Sequence, residues 1–424
     1  MLLLVTYAYR YIVVEKYANH GRRKILKKWH KVVLIILAVL AVLVIALFIF
    51  GKGSSSPITK DTAKKMFSDV ISKDVQKSTD ITGATVLIYS DKLGLNEAYA
   101  LERDDAGNVI NADASTPFYI ASIGKTFTAV LVAKLQESGK LTFNDKISNY
   151  LSPEVLKGLF VYNGVDYQSE VTIQQLLGHT SGVADYWEDP VVSGKPMQEL
   201  VLADTNHLWT PLELVSFSRD NQKAFNKPGA AFHYSDTGYV LLGMIIEKVT
   251  GKSFDRNLTD EIFTPLQMDD SYLMFYSNPK NMPKRDIAKI WFNGTEVSKL
   301  NSLSVDWAGG GIVSTLDDLL KFHKALREGK LISAQTLAVM ENYDNKYIPG
   351  IHYGLGMMQL RFEEFFFLLR GYPRMTGNMG SFSTLMFYDD VHETYVVMNF
   401  GSNGHQQKAI KDLISLVQTL MRIK

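Results

Sequence analysis

Residues 121–136 have the sequence ASIGKTFTAVLVAKLQ. This stretch is typical of a helix with a buried face, and Gly139 follows it where glycine commonly ends a helix. Ser122 and Lys125 stand three positions apart, so they share one face of the predicted helix. A serine hydroxyl becomes a strong nucleophile when a neighbouring base takes its proton, and a lysine can be that base where burial and the helix N-terminus favour its neutral form. The stretch therefore predicts a helix that begins with a Ser–Lys nucleophilic pair.

The same residues also match the end of a phosphate-binding loop, because Gly124-Lys125-Thr126 completes the pattern Gly-x-x-x-x-Gly-Lys-[Ser/Thr]. The first glycine of that pattern would stand at position 119, where this chain has Tyr119. Without that glycine the backbone cannot wrap around a phosphate, so a nucleotide site is rejected. The formal net charge of +1 likewise gives no field that would attract nucleic acid.

A second segment that could carry chemistry is Tyr234-Ser235-Asp236, within residues 227–239, KPGAAFHYSDTGY. A tyrosine that stays near a lysine ammonium can hold its phenol partly ionised and relay protons. The alternative interpretation is a turn followed by a helix start, with Ser235 or Asp236 as the cap and Tyr234 as a packing residue.

A third segment, residues 375–382, MTGNMGSF, is rich in small residues. It predicts a strand edge at which backbone N–H groups can approach a carbonyl oxygen. Taken alone, it indicates only a glycine-rich strand or turn.

The remaining periodicity predicts one sheet that is built from both ends of the chain around a helical middle section, which extends to about residue 290. Strands are predicted at residues 84–90, 96–101, 353–360, 365–369, 381–388 and 394–400, and further helices at 62–75 and 407–421.

Taken together and in order, these segments resemble the serine β-lactamase and penicillin-binding-protein superfamily. The chain is most similar to the branch of class C β-lactamases, D-Ala-D-Ala carboxypeptidases and esterases. Two further stretches support the likeness, which runs from about Gly83 to the C-terminus: residues 176–182, LLGHTSG, and residues 308–315, AGGGIVST. The resemblance implies an α/β fold of the α+β type, with an antiparallel sheet flanked by helices, an all-helical lobe at approximately residues 140–300, and a cleft between them.

The resemblance also assigns roles residue by residue. Ser122 would be the acylated nucleophile, Lys125 its base, and Tyr234 the group that passes the proton to the leaving group. The oxyanion hole would be formed by the backbone N–H groups of Ser122 and Asn378, and the substrate would be bound by Asp236, Thr376 and Gly377. His179 and Gly309–Gly311 would be structural. No cofactor is implied, and no His/Asp/Glu cluster has the spacing of a metal site.

Two residues depart from the family pattern. Met375 stands where the third motif normally has Lys or His, a cation that helps to hold the free carboxylate of the substrate. Asp236 stands where the second motif normally has Asn, and an ionised carboxylate can only accept hydrogen bonds. Because a cation is lost and an anion is gained, we expect a preference for an acyl group with a free ammonium.

The N-terminal region predicts a membrane anchor. Val32–Phe50 is an unbroken apolar run that is long enough to cross a bilayer, and a basic block at residues 21–31 precedes it. This arrangement predicts a cytoplasmic segment at 1–31, a transmembrane helix at 32–50, a linker at 51–60 and an extracellular hydrolase domain at 61–424. The alternative, a cleaved signal peptide, is disfavoured because no small-x-small cleavage site follows Phe50.

The sequence therefore predicts a single-pass membrane protein whose extracytoplasmic domain is a serine hydrolase with an acyl-enzyme intermediate. Its partner would be a cell-envelope substrate, either a teichoic-acid D-alanyl ester or a D-Ala-D-Ala peptide of peptidoglycan, and β-lactams rank below both. Two alternatives stay open: a catalytically degenerate relative with a binding or scaffolding role at the envelope, and a soluble cytoplasmic protein of another class.

Overall fold

The structure is a computed structural model that describes residues 56–104, 106–282 and 285–424. The predicted anchor Val32–Phe50, the segment 1–31 and residues 51–55 of the linker lie outside the described residues. Within the described part of the chain, no helix has the length and apolar character needed to cross a membrane. Residues Pro57–Lys424 form one folded unit.

The strands and helices are numbered in chain order. The strands are β1 Gly83–Ser90, β2 Leu95–Arg103, β3 Val109–Asn111, β4 Phe118–Tyr119, β5 Val161–Tyr162, β6 Val165–Asp166, β7 Tyr272–Leu273, β8 Trp291–Phe292, β9 Thr295–Glu296, β10 Ile312–Ser314, β11 Asn345–Ile348, β12 Ile351–Tyr353, β13 Met358–Leu360, β14 Met375–Gly380, β15 Thr384–Asp389 and β16 Thr394–Asn399. The α-helices are α1 Lys60–Lys77, α2 Gly124–Glu137, α3 Pro153–Leu156, α4 Ile173–Leu177, α5 Met197–Ala203, α6 Pro211–Asn221, α7 Asp236–Thr250, α8 Phe254–Leu258, α9 Thr264–Leu266, α10 Trp307–Gly310, α11 Leu316–Arg327, α12 Ala334–Met340, α13 Phe362–Phe365 and α14 Gln406–Leu420.

The main sheet of the described residues is antiparallel and has nine strands in the order β11-β12-β13-β14-β15-β16-β1-β2-β3. The strand from the N-terminal part, β1, lies beside the last strand, β16, with Thr85 opposite Asn399. The prediction that both ends of the chain build one sheet is therefore confirmed.

Both faces of the central strands of this sheet are buried, because their side chains alternate between two apolar cores. Val86 and Ile88 point into the core shared with α1 and α14, whereas Leu87 joins the core on the side of the helical section. β1 therefore presents apolar residues on both faces, as a strand covered by helices on both sides does.

The helical section between β4 and β10 positions the second motif. α7 begins at Asp236 because the Ser235 Oγ accepts a hydrogen bond from the backbone N–H of Gly238, which is a serine N-cap. The helix ends at Gly251 in the left-handed conformation. The section predicted to be all-helical contains, besides its helices, the short two-stranded ribbons β5–β6 and β8–β9, so it is not all-helical.

Three predicted strands differ from the structure. Residues 365–369 are not a strand: α13 is followed by a 3₁₀ turn at Phe367–Leu369, and the Glu364 carboxylate fixes this region by binding Lys346 and His352. The predicted strand 353–360 is divided by a turn in which the Gly354 N–H binds the Met357 carbonyl. The strand predicted at 381–388 starts only at Thr384, because a tight turn joins β14 to β15.

The domain also begins earlier than the predicted boundary at residue 61. Thr59 caps α1, and the backbone N–H of Ile58 donates to the Arg422 carbonyl at 2.9 Å. The last residues of the predicted linker are therefore part of the folded unit.

Candidate active site

Ser122 and Lys125 are brought together as predicted. Ser122 lies in the 3₁₀ turn Ala121–Ile123 that leads into α2, and the Lys125 side chain is fully buried beneath it. Lys125 Nζ donates to Ser122 Oγ at 3.2 Å and to the Gly309 carbonyl at 2.8 Å, and it forms an ion pair with Asp236. An ammonium has three N–H groups; here two of them have hydrogen-bond acceptors, and the charge is balanced by Asp236.

Two glycines make this arrangement possible. A Cβ on Gly124 would lie 2.8 Å from the Gly310 Cα, and a Cβ on Gly310 would lie 2.4 Å from the Ala121 carbonyl. Only glycine at both positions lets α10 approach the start of α2 so closely. This close approach places the Gly309 carbonyl on Lys125, which explains why the glycine-rich stretch belongs to the site.

Tyr234 lies beside this pair, with Lys125 Nζ 5.2 Å from the centre of its ring. Burial and the charge of Asp236 raise the pKa of the Tyr234 phenol well above its usual value, and a hydrogen bond with Ser122 only partly opposes this shift. The expectation of a partly ionised phenol is therefore wrong: the resting phenol is protonated. Burial is the larger cause of the raised pKa, and the carboxylate of Asp236, which stands where the family pattern has a neutral amide, adds to it.

More carboxylates lie near Asp236 than the sequence indicated. Asp306 accepts a hydrogen bond from the Tyr119 hydroxyl at 3.0 Å, and burial together with Asp236 raises the pKa of its carboxyl to about 6, although Lys125 opposes the shift. Asp185 accepts from the backbone N–H of Asp236 at 3.0 Å, and burial raises its pKa well above the usual value. Sequence reasoning missed both residues, although Asp306 stands two positions before the quoted stretch 308–315.

Ser122, Tyr234, Asp236 and Asp306 face a cavity of about 430 Å³. It is lined by Tyr119, Ser122, Tyr186, Trp187, Glu188, Tyr234, Asp236, Leu303, Val305, Asp306, Tyr347, Ile348, Ile351, Met358, Met379, Gly380, Ser381, Phe382 and Gln406. Three of these described lining residues are acidic, namely Glu188, Asp236 and Asp306, and none of them is Lys, Arg or His. The wall around the serine is therefore acidic and aromatic.

The third segment contributes different residues from those predicted. Met379, Gly380 and Ser381 line the cavity, whereas Thr376 and Gly377 lie outside its lining. Asn378 is also outside it: its side-chain amide donates to Thr126 Oγ1 and to the Gly356 carbonyl, each at 3.1 Å. The substrate-binding role of Thr376 and Gly377, and the oxyanion role of the Asn378 backbone N–H, stay predictions.

The structure also locates the position of the missing cation. Met375 is fully buried in the core shared with α1 and α14, outside the cavity lining. Arg374 binds Glu363 at 3.2 Å and does not line the cavity, so it does not replace the missing cation there.

A group with metal-type ligands lies elsewhere in the described residues. Asp74, His405 and Asp412 have ligand atoms within 4.8 Å of one another, where α1 meets α14. The Lys408 ammonium forms an ion pair with Asp74 and lies 3.5 Å from Asp412, so this group already contains a cation. None of its residues lines the cavity.

Comparison with known proteins places this site in context. A family model described as Beta-lactamase matches residues 67–419. Protein flp of Staphylococcus aureus (strain MW2) is 33% identical over 214 residues, which cover 50% of this chain and 38% of flp, so the chain matches less than half the length of that relative. PbpX of Bacillus subtilis (strain 168), named as a penicillin-binding protein, is 25% identical over 351 residues, covering 80% of this chain and 78% of PbpX.

Two solved structures are similar over most of the described domain. A D-stereospecific amidohydrolase from Streptomyces sp. has a TM-score of 0.66 at 25% identity, covering 82% of this chain and 97% of that chain. An octameric penicillin-binding protein homologue from Pyrococcus abyssi has a TM-score of 0.64 at 25% identity, covering 83% of this chain and 76% of that chain.

Proposed function

We propose, because this chain belongs to the beta-lactamase family, that it is a serine hydrolase acting through an acyl-enzyme on D-amino-acid esters or peptides of the cell envelope. The observation that carries the proposal is the contact of Lys125 Nζ with Ser122 Oγ at 3.2 Å, at the wall of a cavity of about 430 Å³. A nucleophile, a proton-handling neighbour and room for a substrate are the minimum parts of such a site.

The proton path follows from the contacts of Lys125. As Ser122 Oγ bonds to the acyl carbon, its proton passes to Lys125, while Lys125 passes one of its own protons to Asp236. The bond between the acyl carbon and the leaving oxygen then breaks, and the Tyr234 phenol gives that oxygen its proton. The Lys125–Asp236 pair returns a proton to Tyr234, and a water molecule later releases the acid from Ser122.

The acidic lining favours a cationic acyl group. The cavity lining contains three acidic residues, Glu188, Asp236 and Asp306, and no basic residue among the described lining. Lys125 is a single counter-ion for Asp236 and Asp306. A substrate carboxylate would be repelled here, whereas a free ammonium would be attracted. A teichoic-acid D-alanyl ester carries such an ammonium, so it ranks above a D-Ala-D-Ala terminus and above a β-lactam.

The place of action is part of the same proposal. The apolar run Val32–Phe50 after the basic block 21–31 supports an N-terminal anchor with the hydrolase domain outside the membrane. The name of the Streptomyces relative, a D-stereospecific amidohydrolase, supports a D-configured substrate.

The test is covalent labelling of the full chain in detergent with a serine-reactive phosphonate and a fluorescent penicillin, together with turnover of a D-alanyl ester. We expect phosphonate labelling and ester turnover in the wild type, and a loss of at least about a thousandfold in both for Ser122→Ala. Ser115→Ala, which changes an exposed serine outside the cavity, is the matched control. If the folded wild type shows neither labelling nor turnover, the proposal fails, and the envelope-binding alternative takes its place.

A further inference from the structure

The segment that delivers Tyr234 to the cavity runs into α7 in an extended conformation, with Ser235 at φ −151° and ψ 119°. Its backbone N–H groups therefore need acceptors from another part of the chain. The N–H of His233 donates to the His179 carbonyl at 2.7 Å, and the N–H of Ser235 donates to His179 Nδ1 at 3.0 Å. Both chain neighbours of Tyr234 are thus held by one residue.

The ring of His179 holds Tyr234 itself. The two rings are stacked, with 4.3 Å between their centres and an angle of 26° between their planes. Tyr353 packs edge-on against the same imidazole at 4.6 Å, and the imidazole is buried. Tyr234 therefore has its backbone fixed on both sides and its ring fixed on one face.

The contacts also define the chemical state of His179. Since Nδ1 accepts a hydrogen bond from Ser235, the ring proton is on Nε2, and Nε2 is buried without a hydrogen-bond partner among the described residues. Burial, with smaller effects from Lys125 and His233, holds the pKa of His179 well below its usual value. The imidazole is neutral, so it does not compete with Lys125 for a proton.

The backbone at His179 is in the left-handed region, with φ +55°. This conformation is uncommon for a residue with a side chain and is kept only where the surrounding structure requires it. Here His179 accepts hydrogen bonds from the segment 233–235 through both its carbonyl and its ring nitrogen.

From this geometry we propose that His179 is a positioning residue that aligns the Tyr234 phenol with Ser122. The proposal rests on the proposed function, because the alignment matters only if Tyr234 handles a proton for the acylated serine. It differs from a purely structural role, in which His179 would hold the loop but leave the rate of the folded enzyme unchanged.

The test is a double-mutant cycle on the full chain, with kcat and KM for a D-alanyl ester as readouts. His179→Phe keeps a ring but removes the acceptor of the Ser235 N–H, and we expect kcat to fall about tenfold with KM changed less than about threefold. His179→Asn places Oδ1 near the position of Nδ1 and tolerates the left-handed backbone, so it should recover most of the loss in kcat. In a Tyr234→Phe background, His179→Phe should have no further effect on kcat.

Thermal unfolding shows which variants are folded, and the Asn variant keeps the test open if the Phe variant does not fold. If His179→Phe lowers kcat by the same factor in the presence and absence of the Tyr234 hydroxyl, or if folded variants at His179 keep the wild-type kcat, the positioning role is wrong. If Tyr234→Phe alone leaves kcat unchanged, the proton-handling part of the proposed function is wrong instead. The Ser122→Ala result separates both cases from failure of the hydrolase proposal itself.

Discussion

Two lysines of the described domain lie among carboxylates, yet their surroundings differ. Lys125 pairs with Asp236 beneath the cavity, and its side chain has no exposure to solvent. Lys408 pairs with Asp74 where α1 meets α14, and its side chain is 46% exposed. The first lysine touches a serine hydroxyl, whereas the second shares its carboxylate with His405.

A lysine–carboxylate pair is therefore not by itself a catalytic feature. The group around Lys408 joins the first and last helices of the domain, and none of its residues reaches the cavity. The group around Lys125 gains its chemistry from what lies beside it, namely a hydroxyl that can attack and a space that can hold a substrate. Perturbed charges can serve structure or catalysis, and the neighbouring groups decide which.

The largest expected difference is between Lys125→Met and Lys408→Met. We expect kcat/KM for a D-alanyl ester to fall by about a hundredfold or more for Lys125→Met, because Ser122 loses its proton-handling neighbour. Lys408→Met should leave kcat/KM of the folded protein unchanged and lower Tm by a few degrees, because Asp74 loses a cation. Rates are compared per folded molecule, measured by circular dichroism. A large loss of activity in folded Lys408→Met would contradict the comparison.

The next prediction concerns the acidic lining that only the Lys125 region has. The wild type should cleave a D-alanyl ester at least about tenfold better than its N-acetyl derivative, measured as kcat/KM, because the ammonium meets Asp236 and Asp306. Asp236→Asn and Asp306→Asn should each reduce this ratio, since an amide carries no charge. Asp317→Asn, an exposed carboxylate on α11, is the control for loss of one charge.

This preference should also depend on pH. Asp306 faces Lys125, Asp236 and the Tyr119 hydroxyl, and burial and Asp236 raise its pKa to about 6. As the pH falls through about 6, Asp306 takes up a proton and its attraction for the ammonium is lost, so the ratio should fall. Equal cleavage of both esters at all pH values would show that the acidic lining does not select the substrate.

The smallest expected effect is on the pH dependence of Tm, and it comes from the region around Lys408. Burial raises the pKa of Asp412 to about 8, with a further contribution from Asp74, while Lys408 opposes the shift. Between the usual pKa of about 4 and pH 8 the folded state holds a proton that the unfolded state has lost, so this contribution to stability is lost as the pH rises. Asp412→Asn should remove this dependence. The Tm of the wild type should therefore fall about 2 °C more than that of the variant between pH 5 and pH 8.

The sequence was sufficient for the parts of the site that are close together in the chain. Ser122 and Lys125 could be paired because one helical turn joins them. Tyr234 and Asp236 were assigned to the site by the resemblance to the family, whereas the local pattern also allowed a helix cap at Ser235 or Asp236. The strands predicted at both ends of the chain, with helices between them, likewise predicted a sheet built from both ends. In each case a local rule and the global fold agree.

The remainder depends on contacts between distant segments. Asp306 lies 70 positions after Asp236 and reaches the cavity through the 3₁₀ turn Asn301–Asp306, which has no sequence signal of its own. Phe366 and Phe367 suggested a buried strand, yet they are 49% and 59% exposed. Their apolar side chains alone do not determine their conformation. It is set by the bonds of Glu364 to Lys346 and His352 in the hairpin β11–β12.

The pairing of the two ends of the domain has a consequence for engineering. The N–H of Ile58 binds the Arg422 carbonyl at 2.9 Å, and the N–H of Lys424 binds the Ile58 carbonyl at 3.3 Å. A short peptide could therefore join Lys424 to Pro57 without disturbing α1 or α14. New termini could then be opened at Asn163–Gly164, the exposed turn of the ribbon β5–β6. In the resulting circular permutant the cavity residues would keep their native positions.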